Sequence, residues 1–438
     1  MERDRYTDLV RWKNSEERKP LIIRGARQVG KTWLMKEFGR REYKKMAYIN
    51  FEKSRHLRPV FSAGFDTDRI LLALKVESGV EITPRDTLLV LDEIQEVPEA
   101  IAAMKYFVEE VPQYHVVAAG SLMGMALHAG VSFPVGKVSF LNLEPLTFAE
   151  FLRAVGEEAL TGLLQTGDWK MIAAFRQKYV ERLRQYYFTG GMPEAVRWFA
   201  EKKDLTGVRE IQKAILDTYE LDFSKHAPAR QVPRIRMVWN AIPSQLAKEN
   251  RKFIYGLIRK GARAKEYELA ISWLSDCRLV RKVPRVSRPS LPLAAYYDQN
   301  AFKLFLNDVG LLAAMGDLAA GVLLEGNRIF NEFKGALTEQ YVFQQLAASG
   351  EYVIAYWSAE RARAEVDFVL QVRDRVVPLE VKAEENLRSK SLRVYREKFS
   401  PPLALRTSMS GYREQEGLIN IPLYALGTLK RVVTGEKG

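Results

Sequence analysis

One octet constrains the fold of this 438-residue chain more than any other stretch: Gly25-Ala26-Arg27-Gln28-Val29-Gly30-Lys31-Thr32. The run before it, Leu21-Ile22-Ile23, is apolar and reads as a strand, while Trp33-Leu34-Met35-Lys36-Glu37-Phe38 reads as a helix. Glycines at these positions let the backbone curl. Its N–H groups and the positive end of the following helix then surround a phosphate chain. Lys31 is placed to reach the β- and γ-phosphates, and Thr32 offers its hydroxyl to Mg²⁺. Gly25 through Trp33 is therefore the expected nucleotide-binding segment. The plainer reading, a turn that happens to contain Lys-Thr, is disfavoured by the strand and helix on either side.

The chain is too long for one ordinary core, so several domains are expected. Its 47% hydrophobic and 28% charged residues are those of a globular protein. The single cysteine, Cys277, excludes an internal disulfide, and with four histidines a Cys/His zinc site is not expected. That usage fits a reducing cytoplasm. Met1-Glu2-Arg3-Asp4-Arg5 leads into no apolar segment, so no signal peptide is expected. Asp317 interrupts the apolar stretch from Gly310 to Gly326, which argues against a membrane span. A net charge of +13 favours a polyanionic partner, nucleic acid first. The basic clusters, Arg230–Arg236, Arg251–Lys265, Arg278–Arg288 and Arg388–Lys398, lie in the second half of the chain.

Up to about residue 195, strand-like and helix-like segments alternate. Leu21–Gly25, Met46–Glu52, Thr87–Ile94, His115–Ser121 and Val135–Leu141 are separated by helical stretches such as Asp68–Ser78 and Glu99–Glu110. Such alternation implies a parallel sheet covered by helices. The third segment, Leu88-Leu89-Val90-Leu91-Asp92-Glu93, ends in two carboxylates that would emerge beside the phosphate loop. Asp92 would hold Mg²⁺ through water or Thr32. Glu93 suits the general base that orients and deprotonates the attacking water. Ser121, at the tip of the next strand, would contact the γ-phosphate or that water, or merely cap the helix near Leu122.

These motifs, with the acidic segment read as Leu91-Asp92-Glu93-Ile94-Gln95, together with Ala119-Gly120-Ser121-Leu122, Leu143-Glu144-Pro145-Leu146-Thr147-Phe148-Ala149-Glu150-Phe151 and Tyr187-Phe188-Thr189-Gly190-Gly191-Met192-Pro193-Glu194, carry a family resemblance. The chain resembles the AAA-type P-loop ATPases of bacteria and archaea that bear a C-terminal domain of unknown function. The resemblance implies ATP as the nucleotide and a P-loop NTPase sheet over residues 1–195. Thr147 and Glu150 also form a capping box, which accounts for a helix start without chemistry. The family usually has a Gly-Arg pair before its fifth strand, where this chain has Gly136-Lys137. Lysine lacks the planar fork of arginine, so Arg27 and Lys137 both stand as candidates for a transition-state finger.

Residues 196–315 change character. Tyr267, Ala270, Ile271, Leu274 and Cys277 line one face of an amphipathic helix. Two strands, Arg278–Val283 and Ala301–Leu306, follow it. A helix followed by a basic two-stranded wing resembles the winged-helix module of the same family. Lys252, Arg259, Lys260, Arg263, Lys265, Arg281 and Lys282 would give it phosphate contacts, unless they form a solvated face.

Residues 316–438 hold the second constellation. Ala364–Val372 and Arg375–Lys382 read as a hairpin turning at Arg373-Asp374, which sets Asp367 opposite Glu380 and Glu365 opposite Lys382. Side-chain alternation puts all four on one face. Opposed carboxylates repel unless a cation lies between them, so Asp367 and Glu380 are expected to bind Mg²⁺ or Mn²⁺. Lys382 would steady the nucleophile or the phosphate in transit. Pro378 counts mildly against an uninterrupted central strand. The D…E-x-K pattern resembles the restriction-endonuclease-like superfamily, and Glu339 resembles the acid on its first helix that completes the metal shell.

The expected function is Mg-dependent ATP hydrolysis that drives or gates a DNA-directed, nuclease-like C-terminal domain. The alternative is a nucleotide-switched binding protein whose inactive nuclease-like fold grips a protein or DNA. A small-molecule kinase would leave the C-terminal half unexplained. Cytoplasmic location is expected, with oligomeric state open between monomer and ring.

Overall fold

The computed structural model describes residues 1–120, 133–248, 252–321, 331–359, 364–385 and 389–435. The chain forms two compact units, one of Glu2–Glu144 with Asp276–Leu279, the other of Pro145–Ser275 with Val280–Gly438. Both sequence boundaries, at 195 and 315, lie inside the second unit.

In the first unit, β1 (Leu21–Arg24), β2 (Lys45–Asn50), β3 (Thr87–Asp92), β4 (His115–Gly120) and β5 (Ser139–Asn142) form a parallel sheet in the order β2-β3-β4-β1-β5. Strands β3 and β4 are buried along their whole length, as continuous apolar strands covered on both faces must be. β1 lies between β4 and β5, so the strand order reverses beside it, and open α/β sheets bind ligands at the carboxyl end of such a place. The phosphate loop occupies that place. β5 starts later than Val135 because Pro134–Lys137 forms a turn, with Gly136 at φ +73° and the Lys137 N–H donating to the Pro134 carbonyl.

The second unit begins with helices. Phe148–Ala154 starts with the expected capping box: Thr147 Oγ1 accepts from the Glu150 N–H, and Glu150 Oε2 from the Thr147 N–H. The Gly190-Gly191 pair joins the Arg176–Thr189 and Pro193–Lys202 helices. A Cβ on Gly190 would collide with the Asp308 carboxylate, so the motif serves close packing. In the Ala264–Asp276 helix, Tyr267, Ala270, Ile271 and Leu274 are buried as their spacing predicts.

An eight-stranded mixed sheet follows, in the order β12-β13-β11-β10-β9-β8-β6-β7. Its strands are β6 (Val280–Val286), β7 (Tyr297–Leu306), β8 (Val353–Ser358), β9 (Glu365–Val372), β10 (Arg375–Val381), β11 (Ala404–Ser408), β12 (Arg413–Gln415) and β13 (Leu418–Pro422). The strands expected to form a basic wing are therefore the β6–β7 end of this sheet. β6 pairs in parallel with β8 through Arg285 and Val286. The physical reason is burial: Ala301 through Leu306 are buried on both faces, which a solvated wing does not allow.

The β9–β10 hairpin has the expected register, from Arg375 opposite Val372 to Leu379 opposite Phe368. Pro378 sits in a central strand after all. Pairing of β10 with β11 begins only at Leu379, so the missing N–H leaves no gap in that ladder.

Candidate functional site

The loop after β1 bends through two left-handed residues, Gln28 (φ +65°) and Gly30 (φ +93°), before the Lys31–Glu42 helix. A Cβ on Gly25 would strike the Leu143 carbonyl oxygen, so glycine is required there by β5 as well as by any phosphate. Lys31 is buried, and its Nζ donates to the carbonyls of Gly25 (3.0 Å) and Ala26 (2.8 Å). Burial pushes its ammonium down to about 8, against the pull of Glu93 and Asp92.

Thr32 Oγ1 donates to Asp92 Oδ2 at 2.8 Å, which joins the helix start to the tip of β3. The Glu93 N–H donates to Asp92 Oδ1 at 3.1 Å. Glu93 itself is left-handed, at φ +51° and ψ +43°. Lys31, Thr32, Asp92 and Glu93 are thus brought together at one sheet edge. Ser121 and Leu122 lie outside the described residues. Lys137 ion-pairs with Glu109 at 2.8 Å, at the opposite end of the sheet, where β5 starts alongside Leu21. Within one chain it is therefore no partner for the phosphates, whereas Arg27 lies in the loop.

The second constellation also converges. Glu339, on the Asn331–Ser349 helix, and Asp367 and Glu380 are drawn to one locus, with Glu365 beside them. The burial of Asp367, then the charges of Glu339 and Glu380, holds its carboxyl well above the ordinary range. Asp367 Oδ2 accepts from the Val381 N–H at 2.8 Å, and Lys382 Nζ pairs with Glu380 Oε1 at 2.8 Å. Sequence reasoning missed Lys303 of β7. Its Nζ lies 2.6 Å from Glu365 Oε1, 3.2 Å from Glu339 Oε1 and 4.0 Å from Asp367 Oδ1. Among the described residues, no group of three or more His, Cys, Asp or Glu is arranged to hold a metal ion. The acids expected as a metal shell are instead gathered around an ammonium group. The available signal was one charge inside the apolar run Ala301-Phe302-Lys303-Leu304-Phe305-Leu306.

Comparison with family models places an AAA domain at residues 17–152. Two domains of unknown function match residues 180–321 and 334–426. The first unit is an AAA-type P-loop domain. No curated protein matches the chain. Among solved structures, it is similar to a Walker-type ATPase of Pyrococcus abyssi, 15% identical, covering 72% of this chain and 95% of that one at TM-score 0.43. It is also similar to the Aeropyrum pernix Orc1 protein in complex with DNA, 15% identical, covering 73% and 93% at TM-score 0.28. AMPPCP-bound DnaA of Aquifex aeolicus is 14% identical, covering 62% and 86% at TM-score 0.25. TM-scores below 0.5 do not establish a shared whole-chain fold. No described helix is long and apolar enough to cross a membrane.

Three further residues of the AAA unit act around the phosphate loop and the acids of β3: Tyr48 and Arg3 lie outside the motifs, and Gln95 closes the Leu91–Gln95 motif, with no role expected of it there. Tyr48 Oη on β2 donates to Asp92 Oδ2 at 2.8 Å, which gives that oxygen a second donor. Gln95 Nε2 donates to Glu93 Oε2 at 2.6 Å and so orients the carboxylate. Arg3, buried, donates to the Val29 carbonyl at 2.8 Å and to the Glu144 carbonyl at 2.5 Å. It fastens the phosphate loop to the segment after β5. Tyr48 and Arg3 come from distant segments, so no local pattern announces them, whereas Gln95 stands in the Leu91–Gln95 motif.

Proposed function

We propose that the AAA unit binds ATP with Mg²⁺ and hydrolyses it, and that the second unit is a DNA-directed partner whose mixed sheet is restriction-endonuclease-like. The observation that carries the reading is the Thr32–Asp92 hydrogen bond with Glu93 beside it. A hydroxyl and a carboxylate, both hard oxygen donors, stand together at the end of a phosphate loop. These two residues fit a magnesium ion, Asp92 directly or through water. The ion would offset the charge of the phosphates when bound.

The protein's own groups supply the rest. The loop N–H groups and Lys31 bind and orient the triphosphate. Glu93, held by Gln95, takes the proton of the water that attacks the terminal phosphorus. The role of Ser121 as a γ-phosphate or water contact remains part of this proposal, as does Arg27 as a charge stabiliser.

The DNA-directed reading is supported by the net charge and by the exposed Arg259, Lys260, Arg263, Lys265 and Lys282 in one stretch of the chain. The nuclease-like reading is supported by the D…E-x-K hairpin and its helix-borne Glu339, with domain limits at 195 and 315 kept as its working division. The test is steady-state ATP turnover with and without duplex DNA. Lys31→Ala should lose ATP binding and turnover together, and Asp92→Asn should lose turnover. Turnover surviving Lys31→Ala would place the activity elsewhere.

A further inference from the structure

Lys303 is buried to 0% side-chain exposure, as is Glu339, which lies 3.2 Å away. A lysine is almost never placed so deep without a specific ionic partner. Here it has carboxylates from two directions, the Asn331–Ser349 helix and β9, and the face of Tyr356 at 5.0 Å from the ring centroid. Lys382 occupies Glu380 Oε1, and the backbone of Val381 occupies Asp367 Oδ2. Glu380 Oε2 is buried with no hydrogen-bond partner among the described residues.

We propose that the Lys303 ammonium is the permanent counter-ion of the acidic cluster, holding the place that a divalent cation would take, so that this sheet engages its partner without metal-dependent cutting. The proposal rests on reading the second sheet as restriction-endonuclease-like, and it specifies what became of that site. A doubly charged ion between these carboxylates would lie against a buried ammonium, where water screens little. The ion would have to displace the ammonium from the oxygens of Glu339 and Glu365 that it already holds. An apolar side chain of similar length at 303 removes the obstacle and leaves Glu339, Asp367 and the unpartnered oxygen of Glu380 as hard ligands.

The test counts Mn²⁺ bound to the full-length, nucleotide-free protein by electron paramagnetic resonance of the free ion, alongside plasmid nicking. Wild type and Glu380→Gln should bind the same number of equivalents and neither should nick. Lys303→Met should bind one equivalent more, and Lys303→Met with Glu380→Gln should lose it. A Glu380-dependent equivalent or nicking in the wild type would overturn the proposal, as would a folded Lys303→Met protein that gains no ion. Should Lys303→Met not fold, the wild-type and Glu380→Gln pair decides alone, by the presence or absence of a Glu380-dependent equivalent and of nicking. DNA binding and ATP turnover, read on the same wild-type preparation, report separately on the function proposed above.

Discussion

Glu93 holds a left-handed backbone that costs a non-glycine residue about 1 kcal/mol, and such strain persists where function requires the side chain. Glu93→Gly should therefore melt no lower than wild type while losing turnover. A melting temperature several degrees lower would show that the glutamate is structural. Tyr48→Phe removes one of the two side-chain donors to Asp92 Oδ2. The expected loss is roughly tenfold in kcat/KM for ATP, with stability little changed. The Lys31 ammonium, lowered to about 8, gives a pH signature with a definite sign. The triphosphate favours the protonated lysine, and free protein loses that proton as pH rises past about 8. ATP affinity should then weaken by up to tenfold per pH unit above that point. Equilibrium binding at pH 7 and pH 9.5 measures it, and a flat profile would contradict the environment described for Lys31.

At the scale of elements, Asp308 is the joint of the second unit. It caps the Val309–Met315 helix at the Leu311 N–H and accepts from the Gly191 N–H at 2.6 Å and from Gln344 Nε2 at 3.1 Å. Burial raises its carboxyl to about 6 in spite of those bonds. The folded value exceeds the unfolded one, so the group's contribution is complete below about pH 4 and is lost as pH rises through 6. Relative to Asp308→Asn, wild type should lose up to about 3 kcal/mol of unfolding free energy between pH 4 and pH 7, measured by denaturant titration. This joint was not legible beforehand. The Gly190-Gly191 motif stood out in the sequence, but the residue that explains it lies far along the chain. What was legible was chemistry written locally. The phosphate loop, the acids ending β3, the capping box and the hairpin register each fit within a few consecutive residues. The wing was misplaced because β6 and β7 carry a plausible hairpin pattern, and only their burial against β8 and the Asn331–Ser349 helix reveals the larger sheet. Lys303 went unread for the same reason: its partners Glu339 and Glu365 are set by tertiary packing.

For the whole molecule, the surplus of positive charge predicts DNA binding that weakens steeply with salt. The slope should diminish by about one for each phosphate-contacting lysine or arginine removed from the stretch Arg259–Lys265. A salt-independent affinity would point to a protein partner instead. The central claim is hydrolysis by the AAA unit with Glu93 as the base, and the most direct measurement compares ATP binding with ATP turnover in wild type and Glu93→Gln. The expected result is steady turnover in the wild type and, in the variant, retained ATP affinity with turnover reduced by at least a hundredfold. Equal turnover in the two proteins, or ATP binding without turnover in the wild type, would contradict it.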